Sequence, residues 1–220
     1  RPMEQADDSD KSKKRSAPTE KKDALSLLKR PRKGVTYRGA AIPATFALEG
    51  ETLLVARFGE QEPCTRMAAF DFDGTLCKHV FGRKLTGSVY AHAPKVLKAL
   101  ASHRDPYALA ILTNESTDHL KNPGAIENAM RTKCDRLTTW LADAGITNIL
   151  VLVALSKKDG WHKSKGAAMW HRALEELHVP HSKRCFFVGD SPDDRTLADD
   201  AGATYYDVKD FFEKAYPADD

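Results

Sequence analysis

Asp71 and Asp73 stand two positions apart just after the apolar run Met67-Ala68-Ala69-Phe70, with Phe72 between them and Gly74-Thr75-Leu76 following. A short run of this kind reads as a buried parallel strand. Ligands of open α/β sheets sit just beyond the carboxyl ends of strands, where both acids would project. Two carboxylates in that position can hold a hard cation while one stays free to attack or to exchange protons. Gly74 permits a tight turn that a side chain would obstruct. The competing reading is a solvated turn, in which acids and glycine are common.

Three further stretches carry groups that suit phosphoryl chemistry. A phosphoryl group in transfer spreads negative charge over its oxygens, so its site needs a cation, hydrogen-bond donors and an in-line nucleophile. Thr113, after the apolar run at 108–112, offers a hydroxyl and backbone N–H groups at a strand end, with Asn114 beside it. Lys163 and Lys165 precede a helical stretch, where an ammonium and the helix dipole can act together on an anion. Asp190, with Asp193 and Asp194 behind it, can complete an oxygen shell of the kind Mg²⁺ prefers.

The elements that must position these residues follow from periodicity. Strands are expected at 44–48 and 52–58 around Glu49-Gly50-Glu51, then at 67–70, 108–112, 148–154, 185–188 and 203–206. Pro94 opens an amphipathic helix through Leu97 and Leu100. Ile126, Met130, Cys134, Leu137 and Leu141 recur at helical spacing, with Gly145 as the stop. Another helix, from near Ser164, carries Trp170, Ala173, Leu174 and Leu177, and a last one passes through Phe211 and Phe212. Strands alternating with helices imply an α/β fold, a doubly wound parallel sheet with helices on both faces.

A chain of 220 residues with 41% hydrophobic content can bury one sizeable core. No apolar run approaches the ~20 residues that span a bilayer, so a soluble protein with no membrane partner is expected. The sequence opens on Arg1 rather than Met, which leaves room for an upstream segment. Cys64, Cys77, Cys134 and Cys185 form no CxxC pair, which argues against a disulfide framework or a zinc site. Charge is unevenly spread. Residues 1–37 hold 11 Lys and Arg against 6 Asp and Glu, and the remainder holds 23 against 25. The chain thus divides into a basic, disordered tail at 1–37, with one apolar patch at 24–28, and a near-neutral domain at 38–220. The clusters Lys11-Ser12-Lys13-Lys14-Arg15 and Lys29-Arg30-Pro31-Arg32-Lys33 have the form of a bipartite nuclear import signal and equally could grip phosphate backbone. A nuclear location is expected, with a mitochondrial one as the alternative.

The four motifs, taken in order, resemble those of the haloacid dehalogenase superfamily of phosphatases. Over residues 52–214 the likeness extends to the phosphatase domain of the polynucleotide kinase 3′-phosphatase family and its phosphatase-only relatives. It is carried by Leu53-Leu54-Val55, Thr113-Asn114-Glu115-Ser116, Met169-Trp170, Asp194-Arg195 and Asp210-Phe211-Phe212. The resemblance implies a Rossmann-like fold with Asp71 as nucleophile and Asp73 as acid/base. It further implies Asp71, Asp190 and the Asp73 carbonyl as Mg²⁺ ligands, and Thr113, Asn114 and a lysine as binders of the substrate phosphate. Lys163 is favoured as that lysine because the family's lysine directly precedes a helix start. The usual Lys-Pro-x-x-Gly-Met-Trp reads differently here, however, and counting back from Met169-Trp170 lands on Ser164, between Lys163 and Lys165. Asp194 is implied as a supporting or alternate acid. No GxxxxGK[ST] phosphate loop occurs, so a kinase half is not expected.

With 49 residues between Thr113 and Lys163, and a helix and a strand already among them, a large cap domain has no room. The open site that results suits a large substrate, and the resemblance implies the 3′-phosphate ends of DNA in strand-break repair. Arg83, Lys84, Lys121, Arg131 and Lys133 lie in segments that could rim such a site, and repair proteins could dock on the tail. The alternatives are a small-molecule phosphatase, of the histidinol-phosphate or sugar-bisphosphate type, and a non-catalytic nucleic-acid-binding module. If the tail only holds backbone, deleting residues 1–37 leaves kcat on a short 3′-phosphorylated oligonucleotide nearly unchanged. It also raises KM on long DNA at low salt and flattens a log–log salt slope of about −0.7 to −0.9 per phosphate contact. A salt series on short and long substrates checks this.

Overall fold

In the computed structural model, the described residues are 35–79, 86–180 and 184–216, and they belong to one compact unit, Pro31–Asp220. Nine strands are described. β1 (Thr36–Tyr37) and β2 (Ala40–Ala41) make a small antiparallel hairpin. Arg38 and Gly39 form its two-residue loop with φ of 50° and 81°, the left-handed pair that a tight hairpin demands. The other seven strands form one sheet in the order β3 (Ala47–Glu49), β4 (Leu53–Phe58), β7 (Ile149–Ala154), β6 (Ala108–Asn114), β5 (Met67–Phe70), β8 (Phe186–Gly189), β9 (Thr204–Asp207). From β7 to β9 all neighbours are parallel. β4 runs antiparallel to β7 over six residue pairs, and β3 antiparallel to β4. The sheet is therefore mostly parallel with an antiparallel edge.

The alternation of the strands divides the core. Ala68 and Phe70 of β5 face one cluster, with Ile111, Val151, Val153 and Val188. Met67 and Ala69 face the other, with Ala110, Leu152 and Phe187. Helices α1 (Ala93–Ala101) and α2 (Pro123–Ala144) cover the first face, and α3 (Ala168–Glu176) and α4 (Pro192–Ala201) the second. Because both faces are covered, β5 has all four residues buried, which is why it reads as a continuous apolar run. The ends of α2 follow its sequence. Asn122 caps its start by accepting from the Gly124 N–H at 2.7 Å, and Gly145 ends it at φ 61°.

Several boundaries differ from the sequence reading. Thr36 and Tyr37, counted there with the tail, belong to the folded domain. Tyr37 is buried and its hydroxyl lies 3.2 Å from that of Thr117, an anchor that composition does not reveal. The rest of the tail, including both basic clusters, lies outside the described residues, and the truncation that tests it should end before Thr36. The helix expected from Ser164 is in fact two elements: a single 3-10 turn at Lys163–Lys165, then α3 from Ala168. Gly166 separates them at φ 110°, where a side chain would also meet the Asp200 carboxylate. The last helix is a π-helical turn, Asp210–Ala215, whose buried Phe211 packs edge-on against Phe70 with ring centroids 5.8 Å apart. Among the described residues, no separate cap layer lies between β5 and β6 or between β6 and α3.

One contact binds α2 to the end of β5. Phe72 packs edge-on against Trp140 at 6.2 Å, both fully buried, and the Trp140 indole N–H donates to the Ser88 hydroxyl at 3.0 Å. Trp140→Ala should destabilise the domain by about 3–5 kcal/mol, as emptying a large aromatic site does. Trp140→Phe keeps the ring contact and should cost about 1 kcal/mol for the lost hydrogen bond. Urea unfolding of both variants measures the difference.

Candidate active site

The parallel strands leave β5 in two directions: the chain runs outward through β6 and β7, then returns to β8 and β9 on the other side. The crevice of such a sheet opens where the order reverses, between β5 and β8. Asp71 and Asp190 each follow the last residue of one of these two strands. The Asp71 N–H donates to the Val188 carbonyl at 2.9 Å, which extends the β5–β8 pairing into the site. Gly74, at φ 83°, turns the chain back so that Leu76 and Cys77 N–H groups reach the Phe72 carbonyl. A Cβ at Gly74 would run into the Asp190 carboxylate. The buried Thr75 hydroxyl donates to that carboxylate at 3.1 Å, tying the two loops together.

Lys163 answers the question that spacing left open. It is 3% exposed, and its ammonium lies 2.6 Å from Asp71 Oδ1 and pairs also with Asp194 Oδ1. Lys165 is exposed. In a 3-10 turn residues two apart cannot share a face, so only one of the two lysines can turn inward. His162 caps the turn: its Nδ1 accepts from the Ser164 N–H at 3.3 Å. Asn114 Oδ1 accepts the Lys163 N–H, also at 3.3 Å, which ties the turn to the end of β6. Thr113 is buried one residue before the end of that strand.

Asp194 serves both this lysine and its own helix. Ser191 and Asp194 form a capping box at the start of α4, and Asp194 Oδ2 accepts the Asp190 and Ser191 N–H groups at 3.1 and 3.0 Å. Oδ1 is left for Lys163. Asp71, Asp190 and Asp194 each offer a carboxylate oxygen within 4.8 Å of the others, and this all-oxygen set suits a hard cation. Burial pushes the Asp71 carboxyl up to about 6, against the pull of Lys163 and with the charge of Asp194 adding to the rise. Burial alone would discharge Lys163, but Asp71 and Asp194 hold it above the ordinary lysine range.

Asp73 points elsewhere. Its carboxylate pairs with two cations of α2, Lys133 at Oδ2 and Arg136 at Oδ1, the latter at 2.6 Å. Burial would raise its pKa, but the charge and hydrogen bond of Lys133, then those of Arg136, hold it below the usual carboxylate range. The side chain is thus outside the acidic cluster, and only the Asp73 carbonyl remains as the metal ligand the resemblance implies. Of the residues expected at the rim, Lys121 and Arg131 are exposed, Arg83 and Lys84 lie outside the described residues, and Lys133 is 1% exposed inside the site. Arg136 was not among them. Its signal was present: Lys133 and Arg136 sit three apart on the α2 stripe that includes Met130, Leu137 and Trp140, where an unpaired charge would be costly.

The polynucleotide kinase 3 phosphatase family model matches residues 66–214 of the 220. The chain belongs to this family. It is a phosphatase, with the α/β fold its motifs pointed to. No curated protein matches the chain. Among solved structures, a candidate HAD-like phosphatase from Mesorhizobium loti is 20% identical with a TM-score of 0.54, covering 71% of this chain and 78% of its own. That likeness concerns the fold. An uncharacterized protein from Corynebacterium glutamicum is 19% identical over 64% of this chain and 83% of its own, with a TM-score of 0.38.

If the ammonium between the two acids serves the reaction, Lys163→Ala should lower kcat by at least about 10²-fold, the scale of losing one preorganised transition-state donor. Lys165→Ala should stay within about twofold of the parent enzyme, since solvent already surrounds that charge. Steady-state hydrolysis of p-nitrophenyl phosphate, with a thermal melt of each variant, makes the comparison.

Proposed function

We propose that the chain is a Mg²⁺-dependent polynucleotide 3′-phosphatase that clears 3′-phosphates from DNA ends and works through an aspartyl-phosphate on Asp71. The observation that carries the reading is the placement of Asp71: buried at the switch point of the sheet, paired with Lys163 at 2.6 Å, and facing Asp190 from the neighbouring strand. A nucleophile there meets a phosphate among a fixed cation and strand-end donors, with no described cap layer above it. The family match supports the polynucleotide substrate.

In this mechanism an Asp71 oxygen attacks phosphorus as the bond to the leaving oxygen breaks. The electron pair stays on the leaving oxygen, which takes a proton from Asp73. Water then attacks the aspartyl-phosphate, Asp73 recovers a proton, and phosphate leaves. Lys163 stays protonated throughout and offsets charge on the phosphoryl oxygens. Asp194 keeps that ammonium aimed. Thr113 and Asn114 contribute the β6 end of the phosphate cradle. Mg²⁺ would be held by the Asp71 and Asp190 carboxylates and the Asp73 carbonyl, and when bound supplies positive charge against the phosphate oxygens. The basic clusters of the tail fit a nuclear address and a hold on DNA backbone, consistent with a role in strand-break repair.

Asp71→Asn removes the nucleophile and should abolish phosphate release while leaving the melting profile close to that of the parent. Chelation with EDTA should do the same and be reversed by excess Mg²⁺. The deciding assay compares release from a 3′-phosphorylated oligonucleotide with release from histidinol phosphate and a sugar bisphosphate. A kcat/KM at least about tenfold higher on the oligonucleotide, some 1.4 kcal/mol of discrimination, is expected. Preference for either small molecule would replace the nucleic-acid reading with a metabolic one.

A further inference from the structure

Lys133 and Arg136 are the only described cations that meet Asp73 from α2, and each takes a different oxygen of its carboxylate. Each is held in turn by other groups. Lys133 Nζ also donates to the Asn114 carbonyl at 3.0 Å and lies 4.0 Å from Glu115 Oε2. Arg136 Nη2 donates to the Lys78 carbonyl at 3.0 Å and contacts Cys77 Sγ at 3.5 Å. Both charges lie over the Phe72 ring, at 5.7 and 5.4 Å from its centroid. His79 approaches Asp73 Oδ1 at 3.4 Å from the half-exposed side. A cation on each oxygen removes the freedom of the carboxylate to rotate about its terminal bond, the broadest torsion an aspartate has.

Packing alone does not call for such a pair. Two apolar side chains of similar volume would seal α2 against Phe72 without the cost of burying charge. We infer that Lys133 and Arg136 are positioning residues, which hold the Asp73 carboxylate in one orientation for proton transfer to the leaving oxygen. The inference rests on the reading of Asp73 as the acid/base. It goes beyond that reading by assigning the orientation of the acid to two side chains of α2, some 60 residues away in sequence.

A misaimed acid harms one kind of substrate selectively. An aliphatic alcohol is a poor leaving group and needs its proton as the bond to phosphorus breaks, whereas p-nitrophenolate leaves without one. Benzyl phosphate and p-nitrophenyl phosphate are close in size and differ in this respect. In Lys133→Met and Arg136→Met, kcat/KM on benzyl phosphate should fall by about 10²-fold, the scale of a lost alignment. On p-nitrophenyl phosphate the fall should be at least about tenfold smaller, because nucleophile and lysine are untouched. Arg136→Lys, which keeps the charge without the fork, should recover part of the loss on benzyl phosphate. Equal losses on both substrates, or none on either, would overturn the proposal. Asp73→Asn separates the layers. If it shows the leaving-group difference and the α2 variants do not, the positioning role fails alone. If Asp73→Asn lowers both substrates equally, the acid role fails and the positioning role with it. Thermal melts accompany each variant, and should Lys133→Met not fold, Arg136→Met carries the same comparison.

Discussion

The ammonium of Lys163 between Asp71 and Asp194 is the interaction on which the site depends. Three carboxylates within a few ångströms of one another repel, and two of them are buried. Without a cation among them, burial would drive protons onto the very group that has to attack. One lysine lowers that repulsion from the protein side, and a divalent metal would lower it from the solvent side. Everything local serves to keep this lysine in place. His162 caps its turn, Asn114 holds its N–H, Gly166 ends the turn at once, and the capping box of α4 leaves one Asp194 oxygen facing it.

The sheet makes these loops meet. β5 and β8 are hydrogen-bonded neighbours although 115 residues separate Asp71 and Asp190's partner Thr75 across them. Only the reversal of strand order brings the two exits to one crevice, and the helices on both faces bury β5 so completely that its position cannot drift. Phe72 then links sheet and helix. It places one acid on each side of itself, and its ring rests on Trp140 of α2. The nucleophile is thereby positioned by the sheet, the second acid by the helix.

Much of this was legible in the sequence. The apolar run ending in Asp71-Phe72-Asp73-Gly74 announces a buried strand with acids at its exit, because burial on both faces erases alternation. The run before Asp190 does the same. The antiparallel pairing of β4 with β7 was not legible, since an apolar strand has no marker of direction. Lys163 and Lys165 could not be told apart, because the choice is made by a three-residue turn whose stop depends on the conformation of Gly166. Lys133 read as a surface charge and Arg136 was passed over, because a cation on a helix is usually solvated. Their inward aim follows from the register of α2 on Phe72, a tertiary fact. Tyr37 fell on the wrong side of a boundary drawn from composition, which weighs residue types and not the single ring that finds a pocket.

Asp194 divides its two oxygens between the start of a helix and the charge of Lys163. For most enzymes the residues that maintain the fold and those that perform the reaction can vary separately, so that a lineage losing its chemistry keeps its shape. Here one carboxylate belongs to both sets. A descendant that gave up catalysis could discard Asp71 freely, yet it would still need Asp194, or another acceptor in its place, to begin α4. The persistence of that acid in a relative would therefore say little about whether the relative is active. The identity of the residue at position 71 would say far more.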